Sequence, residues 1–220
     1  MSEISALKPT VHVVDDDTSF QTAVARLLRL AGYDVCSYGS AGEFALVRSS
    51  DLHGCMLLDV HMPGPSGLDL QDAMQKTKDG LPIIFLTAHG DVRSSVRAMK
   101  AGAVDFLTKP VKRVELLEAV RKAFARDETL RRDRERLRAL QNRMAELTPR
   151  EREVFALVVK GLLNKQIAAE IGAAERTVKA HRAQVMAKMQ VRSLAELVQI
   201  ADWLHDREAE GAEEARLQAN

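Results

Sequence analysis

With 220 residues, 46% of them apolar and only 4% aromatic, the chain suits two small domains with helical or mixed α/β cores better than one large β-sandwich. Its 32 basic and 31 acidic residues nearly balance. No apolar run approaches the roughly 20 residues of a membrane span, and the start, Met1 to Pro9, carries no basic-then-apolar targeting segment, so a soluble, cytoplasmic protein is expected. Along the chain the charge is uneven: about −1 over residues 1–125, +2 over 126–147, +3 over 148–205 and −3 over 206–220. Cys36 and Cys55 form no CxxC pair and are expected as small core residues. The six histidines show no metal-ligand spacing.

The first half alternates short apolar runs with amphipathic ones. Val11–Val14 reads as a strand ending in Asp15, Asp16 and Asp17, and Ala23–Leu30 as a helix stopped by Gly32. Tyr33–Tyr38 is a predicted strand, Ala41–Val47 a helix, Cys55–Leu58 a strand ending in Asp59, and Leu68–Met74 a helix. Ile83–Leu86 is a strand ending in Thr87 and Ala88; Val92–Met99 is a helix, Val104–Leu107 a strand, and a helix follows Pro110. Five βα units with strands apolar throughout predict an α/β fold, a doubly wound five-stranded parallel sheet covered on both faces.

From Val111 to about Leu147 there is almost no helix breaker. Leu116, Ala123, Leu130, Leu137 and Met144 recur every seven residues, but Asp127, Arg134 and Gln141 fall at the partner positions, where they suit a coiled-coil seam poorly. The apolar stripe of Leu130, Leu137 and Met144 has two possible partners: the same stripe of a second chain, or the surface of its own C-terminal domain. The rest is all-α. Thr148, Pro149 and Glu151 form the N-terminal signature of one helix, Asn164 can cap a second that Gly172 ends, and Glu175–Met189 and Ser193–Leu204 complete a four-helix domain. The acidic end from Glu208 to Asn220 is expected to fray.

In an open parallel sheet, ligands bind at the carboxyl ends of the strands. Asp15, Asp16, Asp59, Thr87 and Lys109 converge there. Packed carboxylates repel unless a cation joins them, and hard oxygen ligands beside a lysine suit Mg²⁺ and a phosphoryl group. In the helical half, Val178, Val185 and Met189 form an inner stripe. The opposite face then holds Arg176, Lys179, Ala180, Ala183, Gln184 and Ala187. Alanines let a surface approach while the flanking polar side chains reach base edges or phosphates, as on a recognition helix in a major groove.

Four blocks, Val13-Val14-Asp15-Asp16-Asp17, Leu57-Leu58-Asp59-Val60-His61-Met62-Pro63-Gly64, Leu86-Thr87-Ala88 and Phe106-Leu107-Thr108-Lys109-Pro110, resemble in order and spacing the receiver domain of two-component response regulators. Leu147–Glu151, Asn164–Ala168 and Thr177–Arg182 resemble the LuxR/NarL type of helix-turn-helix, and the combination is similar to the FixJ-type subfamily.

The resemblance implies a receiver over 8–125, a helical linker over 126–147, a DNA-binding domain over 148–205 and an acidic tail over 206–220. It implies that Asp59 accepts a phosphoryl group from a sensor histidine kinase. Mg²⁺ would be held by Asp15, Asp16, Asp59 and the backbone carbonyl of His61, and Lys109 would pair with the phosphate. Thr87 and Phe106 would act as the switch pair, and Lys109-Pro110 would be cis.

For the second domain, the resemblance implies binding to double-stranded DNA through Lys165, Arg176, Thr177, Lys179, His181, Arg182 and Gln184. Lys179 would read bases, and Lys165, Thr177 and Arg182 would lie near phosphates. It further implies a homodimer on phosphorylation, built on Val92–Lys100 and Val104–Leu107. Ala174 departs from the family's usual capping Ser, and Ala183 from a base-reading Lys found in some relatives, so the DNA sequence preferred is left open. A haloacid-dehalogenase-like phosphatase is disfavoured, because Val60-His61 follows Asp59 where that family needs a second Asp two residues on. A scaffold that has lost phosphorylation is disfavoured by the intact cluster.

Overall fold

A computed structural model describes residues 9–47, 52–77, 80–88 and 92–218, and side chains for residues 9–47, 52–75, 80–88 and 92–207. The reading of residues 1–8 as carrying no targeting segment lies outside them. The chain divides into two compact units, Met1–Arg131 and Arg132–Asn220. Among the described residues no helix is long and apolar enough to cross a membrane.

The first unit alternates β1 (Thr10–Val14), α1 (Thr18–Leu30), β2 (Asp34–Tyr38), α2 (Ala41–Val47), β3 (Gly54–Asp59), α3 (Gly67–Thr77), β4 (Ile83–Thr87), α4 (Val92–Lys100) and β5 (Asp105–Thr108), and enters α5 (Arg113–Ala145). The strands form one parallel sheet in the order β2-β1-β3-β4-β5. Val11, Val13, Cys55, Leu57, Ile84 and Leu86 face one side, against Val24 and Leu28 of α1 and Leu116, Val120 and Ala123 of α5. Val14, Met56, Leu58, Ile83 and Phe85 face the other, against Phe44, Leu68, Met74 and Ala98 of α2, α3 and α4. A five-stranded doubly wound sheet is thus what the pattern predicted.

Strands β3 and β4 are buried throughout, as expected, but β2 is not. It is one edge of the sheet, and Cys36 on it is exposed while only Cys55 is buried. The expectation that both cysteines are core residues fails for that reason.

His12, near the middle of β1, is 3% exposed. Its Nδ1 lies 3.3 Å from the Tyr38 hydroxyl, and its Nε2 has no hydrogen-bond partner. Burial pulls its pKa down to about 4 from an ordinary 6.5. The neutral ring is the form that folds, so the unfolded chain binds the extra proton. Stability is therefore full above pH 6.5 and is lost as pH falls toward 4. Between about pH 7.5 and pH 5 this loss should reach about 2 kcal/mol. It should be absent from His12→Gln when the two proteins are compared by denaturant unfolding at both pH values. Equal slopes would show that His12 is not the group responsible.

The second unit contains the end of α5, α6 (Pro149–Val159), α7 (Asn164–Glu170), α8 (Glu175–Lys188) and α9 (Leu194–Gln218). Thr148 caps α6 with a complete capping box to Glu151, and Pro149 sits at the first turn. Asn164 is not the cap of α7. Leu163 occupies that place, and the Asn164 amide oxygen instead accepts from Arg182 Nη1 at 2.8 Å. The acidic end does not fray from Glu208: α9 runs on to Gln218, through a stretch rich in the strong helix formers Ala, Glu, Arg and Leu.

On α5, the residue buried deepest in this unit is Leu140; with Met144, and with Leu147 just past the helix, it lies in one core with Val154, Val158, Ile167, Val178 and Leu197. Trp203 of α9 receives Arg136 over its ring at 4.7 Å, and Arg207 pairs with Asp133. Of the stripe of Leu130, Leu137 and Met144, it is Met144 that packs into the core of its own C-terminal unit.

Candidate functional site

Four of the five strands deliver a residue at or just past their carboxyl ends to one rim of the sheet. Asp15 follows β1, Asp59 ends β3, Thr87 ends β4 and Lys109 follows β5. Asp15 and Thr87 are fully buried, Asp59 is 6% exposed and Asp16 is exposed. Carboxylate oxygens of Asp15, Asp16 and Asp59 lie within 4.8 Å of one another. Lys109 Nζ donates to Asp15 Oδ2 at 2.6 Å and to Asp59 Oδ2 at 3.1 Å. The other Asp59 oxygen accepts a long bond, 3.4 Å, from the His61 N–H. Burial pushes the Asp15 carboxyl up, against the pull of Lys109 and the Asp17 N–H. Burial works to lower the Lys109 pKa, but bonds to Asp15 and Asp59 outweigh it and the ammonium titrates above an ordinary lysine. Three carboxylates against one ammonium leave a charge near −2, which suits a divalent cation with oxygen ligands.

The loops around the rim are set locally. Asp17 caps α1 by accepting from Ser19 N and Phe20 N, and its own N–H donates to Asp15 Oδ1 at 3.0 Å. The Gln21 amide donates to the carbonyls of Asp15 and Tyr38. The Lys109-Pro110 peptide is cis, and the Lys109 N–H donates to the Thr87 carbonyl at 2.7 Å. Phe106, half-buried, packs 6.1 Å from the ring of Phe85. Phe20 and Gln21 were not singled out in the sequence. The capping Asp17 just before them is the one local signal that places them at the rim.

Residues 11–121 match the response regulator receiver domain family, and residues 145–201 match the luxR family of bacterial regulatory proteins. Nodulation protein W of Bradyrhizobium diazoefficiens is 45% identical over 200 residues, covering 91% of this chain and 88% of that protein. Transcriptional regulatory protein FixJ of Rhizobium meliloti is 38% identical over 192 residues, covering 87% and 94%. Among solved structures, the response regulator StyR shares 47% identity with a TM-score of 0.78 over 89% of this chain and 98% of that one. The chain is a two-component response regulator of the LuxR-type class.

In the regulator's second unit, α7 and α8 form the helix-turn-helix, joined by Gly172 in a left-handed conformation at φ 63°. Val178 and Val185 of α8 and Met189 at its C-terminal cap are buried, while Arg176, Thr177, Lys179, Ala180, Ala183 and Gln184 are exposed on the helix's outer side, as is Lys165 on α7. His181 and Arg182 are half-buried. Arg182 ties α8 to α7 through Asn164, and Lys188 ties α8 to α6 through Glu151 at 2.6 Å. Lys179 lies 3.8 Å from Glu175, a loose pair on an exposed face. Ala174 begins α8 with no side-chain cap, as its identity requires.

Proposed function

We propose that the regulator is switched by phosphorylation: Asp59 takes a phosphoryl group from a sensor histidine kinase, and the modified protein dimerises and binds promoter DNA in the cytoplasm. The observation that carries this reading is the convergence of Asp15, Asp16, Asp59 and Lys109 at one sheet rim. Asp15, Asp16, Asp59 and the backbone carbonyl of His61 would hold Mg²⁺. The ion would neutralise charge on the transferring phosphoryl, which is most of what such a reaction requires.

The chain's own residues do the rest. An Asp59 oxygen attacks phosphorus as the bond to the donor's histidine nitrogen breaks. Lys109 moves from the carboxylates toward the new phosphate, and the Thr87 hydroxyl takes a phosphate oxygen. Phe106 follows Thr87 inward. The surface of α4 with β5 is the dimer contact, and the exposed apolar side chains of Val92, Val96 and Met99 on α4 support it. Functionally, the receiver covers 8–125, the linker 126–147, the DNA-binding domain 148–205 and the acidic tail 206–220.

On DNA, Lys179 reads base edges from the exposed face of α8, with Arg176, His181 and Gln184 alongside. Lys165, Thr177 and Arg182 lie at the backbone phosphates, and the small Ala180 and Ala183 allow close approach. Footprinting on genomic fragments, with and without acetyl phosphate and Mg²⁺, tests the whole reading, with sedimentation on the same samples. Protection of paired half-sites by a phosphorylated dimer is expected. A protein that forms no adduct, or that binds DNA identically in both states, would sink it.

A further inference from the structure

We infer that Phe20 is a positioning residue for phosphoryl transfer, acting through Lys109. This rests on the reading of Asp59 as phosphoacceptor. The Lys109 Nζ lies 4.3 Å from the centroid of the Phe20 ring, inside the range in which a ring face attracts a cation. The same ammonium is bonded to Asp15 and Asp59, so it is held on three sides: two carboxylates and one ring.

The placement of the ring is built in. Asp17 Oδ1 accepts from the Phe20 N–H at 3.0 Å, which fixes Phe20 in the first turn of α1. The Asp17 N–H in turn donates to Asp15 Oδ1, and Asp15 Oδ2 accepts from Lys109. Asp15, Asp17, Phe20 and Lys109 thus form a closed loop of contacts around the rim. Phe20 also packs at the edge of the core beneath α1, so its ring has little freedom to leave.

A neutral ring is the chemistry this place needs. A third carboxylate beside Lys109 would hold the ammonium more tightly. It would also cancel the charge meant for the phosphate and repel the incoming anion. An aliphatic side chain would fill the space without attracting the cation. The ring does neither: it steadies the ammonium and leaves its charge unspent. During transfer an Asp59 oxygen bonds to phosphorus as the bond from phosphorus to the donor breaks. With acetyl phosphate, that electron pair leaves on acetate. Lys109 must then give up carboxylate partners for phosphate oxygens, and the ring stays as the partner that does not change.

The test compares the full chain with Phe20→Leu and Phe20→Trp. The rate of adduct formation from acetyl phosphate and Mg²⁺ is measured. The Lys109 ε-methylene shifts are read by NMR on the unphosphorylated proteins. Phe20→Leu keeps the apolar bulk and should slow adduct formation by about fivefold to tenfold. Phe20→Trp should stay within about twofold of the parent. The parent's Lys109 methylene protons should be shifted upfield by the ring current, an effect that Leu removes and Trp retains.

Equal rates for parent and Phe20→Leu, or equal slowing by Leu and Trp, would overturn the inference and leave Asp59 in its role. So would a parent spectrum without the ring-current shift, which needs no phosphorylation to read. A parent that forms no adduct at all would instead overturn the reading on which the inference rests.

Discussion

Asp59→Asn is expected to carry no phosphoryl group after incubation with acetyl phosphate and Mg²⁺, and to bind a two-half-site fragment no better with the donor than without. An amide nitrogen or oxygen at this position is not a competent nucleophile, and the change removes one of the three carboxylates that share the rim. The substitution keeps the size of the side chain and an oxygen able to accept from Lys109, whose stronger bond, to Asp15 at 2.6 Å, is untouched. It also removes a negative charge from a crowded cluster, so the thermal midpoint should hold or rise rather than fall. Loss of the adduct with an intact unfolding transition assigns the defect to chemistry. Intact-mass measurement decides the matter: an adduct persisting on Asp59→Asn would move the phosphoacceptor to another residue.

The second large effect lies at the other end of β3. Gly54 opens the strand at φ 119°, and a Cβ built there would stand 1.9 Å from the Thr10 carbonyl oxygen on β1, 2.6 Å from the Thr10 nitrogen and 2.8 Å from its carbonyl carbon, all backbone atoms. Neither β1 nor β3 can yield, because they pair in register from Thr10 opposite Gly54 onward. Gly54→Ala should therefore cost about 4 kcal/mol, the sum of an unfavourable backbone conformation and overpacking. That is a large fraction of the usual stability of a small domain. Gly32 is the control. It has a similarly left-handed φ of 91° but open space around it, so Gly32→Ala should cost only about 1–2 kcal/mol. Denaturant midpoints measure both; equal losses would mean that the Thr10 contact is not what makes Gly54 necessary.

The parts of the molecule legible in advance were those written locally. Strand ends carry Asp15, Asp59 and Thr87 because short apolar runs stop at polar residues, and a doubly wound topology sends those ends to a single rim. The stripe of Val178, Val185 and Met189 fixes which side of α8 faces out, so the sequence alone puts Lys179 and Gln184 on the open side. What stayed hidden was decided by partners distant in the chain. The convergence of Lys109 with Asp15 was expected from the strand ends, but the ring of Phe20 joins them only once α1 is docked. Asn164 looked like a cap because its residue type favours one, but the guanidinium of Arg182 claims its oxygen. The seven-residue spacing in α5 pointed to Leu130, Leu137 and Met144. In the second unit the helix buries Leu140 most deeply, beside Met144, because its neighbours there are Val154, Ile167, Val178 and Leu197 of its own domain. Cys36 looked like a core residue because composition does not reveal which strand ends up at the sheet's edge.

One buried contact bears on how such proteins can be recombined. Asp127, 4% exposed on α5, accepts from the Gly54 N–H at 2.9 Å, so the helix on its way out of the receiver closes the start of the strand that ends in Asp59. A chimaera spliced at residue 125 would take its residue 127 from the donor regulator, and Gly54 would keep its acceptor only if the donor supplies a carboxylate there. A splice after Arg131 carries the pair across intact, because both residues then come from the same parent. The workable seam for domain exchange in this regulator is thus set by a single hydrogen bond inside the helix's first half and not by where the receiver's sequence motif stops.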